Sequence, residues 1–170
     1  AFDEYGRMYV CELITYSERR ETKLGRVSRL VDSDGDGRFD QRTVYIDGLE
    51  WPAGILCFDG GIFVASSPEL IYCKDADGDG RADLRETVVT GFDVSNPNSC
   101  PNSLRWNLDN RLEMMPSTGG GLLEPVRWNR AHADRPAANL QIRGRDISIH
   151  PRSGQMRAES GGAQYGMTFD

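Results

Sequence analysis

Short runs in which apolar residues recur at every second position dominate the chain. Met8 to Leu13, Val27 to Val31, Thr43 to Asp47, Ile55 to Phe58, Ile62 to Ser66, Leu70 to Lys74 and Thr87 to Thr90 are rich in β-branched or aromatic residues. Leu104 to Asn107, Arg111 to Met115, Asp146 to His150 and Gln164 to Phe169 read the same way, and Gly, Pro, Asn or Asp bounds each run. Such runs fit pleated, half-buried strands. No stretch sustains a capped helical period, and Pro136 limits the one short helix conceivable within 129–141. Asp59-Gly60-Gly61 and Pro151-Arg152-Ser153-Gly154 are expected as hairpin turns. The pattern predicts an all-β chain.

The runs are organised by a repeat. Asp32-Ser33-Asp34-Gly35-Asp36-Gly37-Arg38-Phe39-Asp40 returns 43 residues later as Asp75-Ala76-Asp77-Gly78-Asp79-Gly80-Arg81-Ala82-Asp83. The match continues through Arg42 and Arg85, Ile46 and Val89, Gly48 and Gly91. A second signal, an aromatic residue and a polar turn followed by a strand, starts at Phe2, Phe58 and Trp106, and Phe169-Asp170 begins a fourth copy. Intervals of 56, 48 and 63 residues suit four-stranded β-propeller blades with variable loops. In one such blade Gly54 to Phe58 and Ile62 to Ser67 form the inner hairpin, Leu70 to Lys74 the third strand and Glu86 to Thr90 the outer strand. Each acidic loop then sits on an outer hairpin. Three to four blades do not close a ring, so residues 1–170 are read as part of a larger propeller whose remaining blades are its partners. The opening residues agree, since they resemble the middle of a folded unit rather than a leader.

Composition narrows the function. The net charge is −6, from 20 basic and 26 acidic residues, and nine of the acids lie in or beside the two repeated loops. The rest of the surface is near neutral and no basic stripe runs along it, which argues against a nucleic-acid partner. Apolar runs reach only four residues, far short of the about 20 that a transmembrane helix needs. Cys11, Cys57, Cys73 and Cys100 have no CxxC spacing, which excludes a zinc ribbon, a thioredoxin motif and haem attachment here. They are read either as two disulfides or as buried thiols.

The acidic loops carry the chemistry. Each places carboxylates at positions 1, 3, 5 and 9 and Gly at position 6, the order in which a tightly coiled loop presents oxygens to Ca²⁺. The expected ligands are Asp32, Asp34, Asp36 and Asp40 with the Arg38 carbonyl, and Asp75, Asp77, Asp79 and Asp83 with the Arg81 carbonyl. Both arginine side chains are expected to point to solvent. Mg²⁺ fits less well, because it takes fewer protein ligands in a strict octahedron. The plain alternative is an acidic turn held by side-chain to backbone bonds. Two in-register copies, each crowding four like charges into nine residues, favour the cation. Strand-like flanks set the loops apart from helix-flanked calcium loops. Glu86 stands at position 12 of the second loop, where the first has Thr43. If Glu86 coordinates, the second site is the tighter; closure by Asp40 and Asp83 makes the two similar, and this is the expectation. An ion held by four or five carboxylates braces structure rather than reaction.

Catalytic groups are sparse. His150 reads as a strand end and His132 as a residue of a polar loop. Ser117-Thr118-Gly119-Gly120-Gly121 lacks the Lys and helix of a phosphate loop and reads as an inter-strand turn. Trp51, Trp106 and Trp128 suit either sugar stacking or packing between blades.

The combined motifs resemble a known family. Phe2-Asp3-Glu4-Tyr5-Gly6-Arg7-Met8-Tyr9-Val10-Cys11-Glu12 is similar to an FDExGRxxVxE opening, and Thr43 to Gly54 after the first acidic loop is similar to TVFxDGLxxPxG. Leu70-Ile71-Tyr72-Cys73-Lys74-Asp75, Gly144-Arg145-Asp146-Ile147 and Gly161 to Asp170 match further segments. This pattern resembles the PVC-type membrane-bound dehydrogenase propellers of planctomycetes and relatives, often fused to a haem domain, and through them the soluble quinoprotein glucose dehydrogenases. The resemblance implies an extracytoplasmic propeller with calcium, pyrroloquinoline quinone and haem c on a domain outside this chain, oxidising a sugar or alcohol. A non-catalytic, calcium-stabilised propeller that binds a glycan or protein is the alternative. The resemblance carries only the calcium ligands over residue by residue.

Overall fold

In a computed structural model, residues 1–15, 20–96, 98, 100–116, 119–126 and 138–162 are described. Their alternating runs form antiparallel strands in three sheets, with no α-helix among the described residues and a 3-10 turn at Arg20–Thr22. The first sheet has the order β1 (Met8–Glu12), β2 (Gly25–Val31), β3 (Gln41–Leu49). The central sheet begins with β4 (Pro52–Phe58), β5 (Gly61–Ser66), β6 (Glu69–Lys74) and β7 (Leu84–Phe92). The third contains β8 (Asn102–Trp106) and β9 (Leu112–Met115). Next come β10 (Gly121–Pro125) and β11 (Leu140–Ile142), then β12 (Ile147–Ile149) and β13 (Met156–Ala158).

The all-β expectation holds, and the strand runs fall where alternation placed them. Gln164 to Phe169, Trp128, His132 and most of the possible helix at 129–141 lie outside the described residues. Three strands escaped the reading: β10, β11 and β13 are short and lack a clear alternating run. Two of them correct the blade. Glu86 to Thr90 lies in β7, but β7 is not the outer strand, because β10 pairs with it and β11 with β10. The central sheet therefore has six strands, in the order β11-β10-β7-β6-β5-β4. The hairpin β10–β11 leaves the third sheet between β9 and β12 and joins its neighbour. Gly121 permits the join: a Cβ there would lie 2.1 Å from the Gly91 carbonyl oxygen.

The central sheet is covered on both faces, so β5 is buried at all six positions. Ile62, Val64, Ile71 and Cys73 face the first sheet and pack on Tyr9, Val27, Tyr45 and Leu49. Phe63, Ala65, Leu70 and Tyr72 point the other way, onto Leu112, Met114, Ile147 and Ile149 of the third sheet. The period of two along each strand produces this two-sided core. The first strands of the three sheets lie side by side, β1 against β4 and β4 against β8. Gly54 makes the second approach possible, since a Cβ there would stand 2.7 Å from Leu104 Cδ1. Among the described residues the three sheets do not close into a ring.

Candidate metal centres

Both acidic loops are hairpin connections, the first between β2 and β3 and the second between β6 and β7. Their backbones coil alike. Gly35 and Gly37 have φ of 78° and 87°, and Gly78 and Gly80 have 87° and 94°, a region that glycine enters without penalty. The first Asp of each loop organises the coil. Asp32 accepts from Gly35 N and Gly37 N at 2.8 Å each, and Asp75 from Gly78 N at 2.7 Å and Gly80 N at 2.8 Å. Asp34 and Asp77 accept from the amides of Asp36 and Asp79, and those two from Arg38 N and Arg81 N.

The carboxylates converge differently in the two loops. Oxygens of Asp32, Asp34 and Asp36 lie within 4.8 Å of one another, as do those of Asp75, Asp77 and Asp83. Oxygens about 2.3–2.6 Å from one Ca²⁺ span such distances. Asp40 stands outside the first group because Ser33 engages it. Ser33 donates to Asp40 through both its amide, at 2.9 Å, and its hydroxyl, at 2.5 Å, engaging both carboxylate oxygens. These bonds hold the Asp40 carboxyl below the usual carboxylate range. Ala76 has no hydroxyl, and Asp83 takes bonds from Ala76 N and Asp77 N on Oδ2 alone. Glu86 lies along β7 opposite Tyr72, outside the second triad.

The surroundings differ more. In the first loop every residue after Asp32 is exposed. The second is docked on the first sheet. Asp75 N donates to the Tyr45 hydroxyl at 3.0 Å, and Ala82 N to the Tyr45 carbonyl at 2.8 Å. Arg29, which β2 turns inward, meets Asp75 Oδ2 at 3.3 Å, its side chain 13% exposed against 9% for Asp75. The guanidinium lies so close to Gly80 that a Cβ there would stand 2.2 Å from Arg29 Nη2. Arg29 and Tyr45 were not among the candidate residues. The available signal was an arginine on the inner face of β2, two residues after buried Val27. Arg38 and Arg81 are both exposed, but Arg81 turns toward the first sheet and helps line a cleft of 510 Å³ with Lys23, Arg26, Val44 and Asp47.

The donor set suits a hard cation: it is all oxygen, in groups of three carboxylates. A carboxylate oxygen that accepts one N–H retains a lone pair for a metal. The cysteines are elsewhere. None of the four is in a disulfide, and Cys11, Cys57 and Cys73 lie at the core between the first and central sheets, where burial pushes them up to about 12, 11 and 12. His150 closes the turn after β12, its Nδ1 accepting from Ser153 N at 3.2 Å. Trp106 packs on Phe58 across the third and central sheets at 5.6 Å, and Trp51 is buried. Gly119 to Gly121 leads into β10, where it serves strand packing.

This three-sheet assembly with paired acidic hairpins belongs to a family so far described as a domain of unknown function, DUF7133, whose model matches residues 1–170. No curated protein and no solved structure matches the chain.

Proposed function

We propose that the two acidic hairpins are calcium sites that brace a segment of a β-propeller. The observation that carries the reading is the recurrence of one coiled loop, with three converging carboxylates, at equivalent hairpins of two neighbouring sheets. A further observation supports the propeller: the three sheets stack face to face with β1, β4 and β8 gathered on one side. The ligands are Asp32, Asp34 and Asp36, with Asp40 and the Arg38 carbonyl completing the shell, and Asp75, Asp77 and Asp83, with Asp79 and the Arg81 carbonyl. Glu86 contributes no oxygen. The ion serves structure: bound at about 100 times Kd, each would add about 2.7 kcal/mol to the folded state by mass action.

The wider setting follows from the resemblance. The segment belongs to an extracytoplasmic, quinoprotein-type dehydrogenase propeller that acts on a sugar or alcohol, with pyrroloquinoline quinone and haem c held by parts other than the described residues. No step of that oxidation is assigned to the side chains described. No helix among the described residues is long and apolar enough to cross a membrane.

Calorimetric titration of the chelator-stripped chain with Ca²⁺ tests the reading, with Asp34→Ala and Asp77→Ala beside it. Two sites are expected, each abolished by its own variant. A folded chain that releases no heat and gains no thermal stability from Ca²⁺ would reduce the loops to acidic turns and overturn the proposal.

A further inference from the structure

We propose that the cleft between the first sheet and the second acidic hairpin binds a small organic anion, an oxyanion head on an apolar body. Its volume is 510 Å³. Clefts of about 300–1,000 Å³ are the size that small ligands fill. It lies on the β3 side of the first sheet, across β2 from β1. Arg26 stands in β2, and Val44 and Asp47 in β3. Arg81 comes from the second hairpin, which is tied to β3 next door, where Ala82 N donates to the Tyr45 carbonyl at 2.8 Å. That bond fixes the backbone from which the guanidinium reaches the cleft.

The lining has the two halves of such a site. Its apolar wall is left in solvent: Ile14 and Leu24, from the connection between β1 and β2, are 48% and 52% exposed beside half-buried Val44. Its charge runs against that of the chain, whose net is −6. Lys23, Arg26 and Arg81 line it with a single acid, Asp47. Glu50 balances Lys23 at 3.3 Å, but Arg26 and Arg42 share one carboxylate, Glu12, at 2.8 and 2.6 Å. The Arg81 guanidinium has no ion pair among the described residues. Lys23 also holds a φ of 49°, a left-handed backbone that a residue with a Cβ seldom adopts. Such departures gather at ligand sites. A guanidinium meets a carboxylate or sulfonate through two parallel N–H bonds, while the apolar wall takes hydrocarbon out of water. An uncharged ligand leaves Arg81 unused, and a cation meets like charge. Head and body are therefore both needed. The cleft uses the Arg81 side chain and no ion, so the inference is independent of calcium.

Fluorescence titration of the full chain in chelator tests it, with anilinonaphthalene sulfonate as probe. Phenylnaphthylamine, the same rings without the sulfonate, is the comparison. The sulfonate is expected to bind and the neutral probe to bind more weakly. Arg81→Gln should weaken the sulfonate by about tenfold or more and leave the neutral probe unchanged, because one charge-assisted pair is lost. Leu24→Gln, at an exposed position, should weaken both. Octanoate should displace the sulfonate, and octanol should not. No binding of the sulfonate, equal binding of the two probes, or sulfonate binding that Arg81→Gln leaves unchanged in a chain with an unaltered circular dichroism spectrum would overturn the proposal.

Discussion

The two acidic loops share their pattern of charges and glycines, yet one stands in solvent and the other is part of a seam between sheets. In the first, the carboxylates accept only from the loop's own amides and the Ser33 hydroxyl, and Phe39 reaches outside it to the Phe2 ring at 6.3 Å. In the second, Asp75 is held by Arg29 and its amide by Tyr45, both from the preceding sheet. A repeated motif therefore specifies a local coil, whereas its electrostatic environment is set by what the neighbouring unit presents. Arg29 is a built-in cation for the second loop. The first has no counterpart among the described ion pairs.

The largest expected contrast lies in removing the first carboxylate of each loop without calcium. Asp75→Ala leaves the Arg29 guanidinium buried without its partner and should cost about 3 kcal/mol in urea unfolding. Asp32→Ala removes hydrogen bonds at the surface and should cost about 1 kcal/mol. Equal losses would mean that the seam does not distinguish the loops.

Calcium affinity sharpens the comparison. An ion in the second loop must share Asp75 with Arg29, so the second site should bind more weakly than the first by about tenfold or more, equivalent to about 1.4 kcal/mol. The Arg29→Met chain should recover that factor at the second loop and leave the first unchanged. Calorimetry that finds two equal sites in the unaltered chain would break the argument. This revises the expectation of similar sites, which rested on the loops alone.

Tyr45→Phe removes the hydroxyl that accepts from Asp75 N and keeps the carbonyl that accepts from Ala82 N. A loss of about 1 kcal/mol is expected, together with faster hydrogen exchange at the Asp75 amide and none at Asp32. The smallest effect is a titration. Asp40 has a depressed folded-state pKa, so its stabilising contribution is present above its ordinary value and fades as pH falls through the depressed one. Ser33→Ala should move the Asp40 carboxyl resonance midpoint upward, toward the ordinary carboxylate range, in a pH series followed by NMR.

Much of this architecture was legible as sequence. Strands such as Ile62 to Ser66 and Leu70 to Lys74 announce themselves, because residues buried on two faces must be apolar and β-forming. The coil of each acidic loop was legible too, since Gly at its fourth and sixth positions meets carboxylates spaced to accept from those amides. Strands β10 and β11 were not. Gly121-Leu122-Leu123-Glu124-Pro125 contains a single buried side chain, Leu123, and its place is decided by the edge of β7 rather than by any pattern of its own. Arg29 was missed for a related reason: an arginine flanked by Ser28 and Leu30 looks like an outward residue until the facing sheet supplies Asp75.

By itself, then, the sequence determined what depends on neighbours along the chain: strand periodicity, turn glycines, and the spacing of carboxylates within each hairpin. These are short-range matters of backbone geometry and charge repulsion. Only the tertiary structure decided which sheet a strand joins, which face of β2 meets an acidic loop, and that one loop is docked while its copy is free. Those outcomes depend on surfaces brought together from residues tens of positions apart, and a side chain such as Arg29 takes its partner from whatever sheet packs against it.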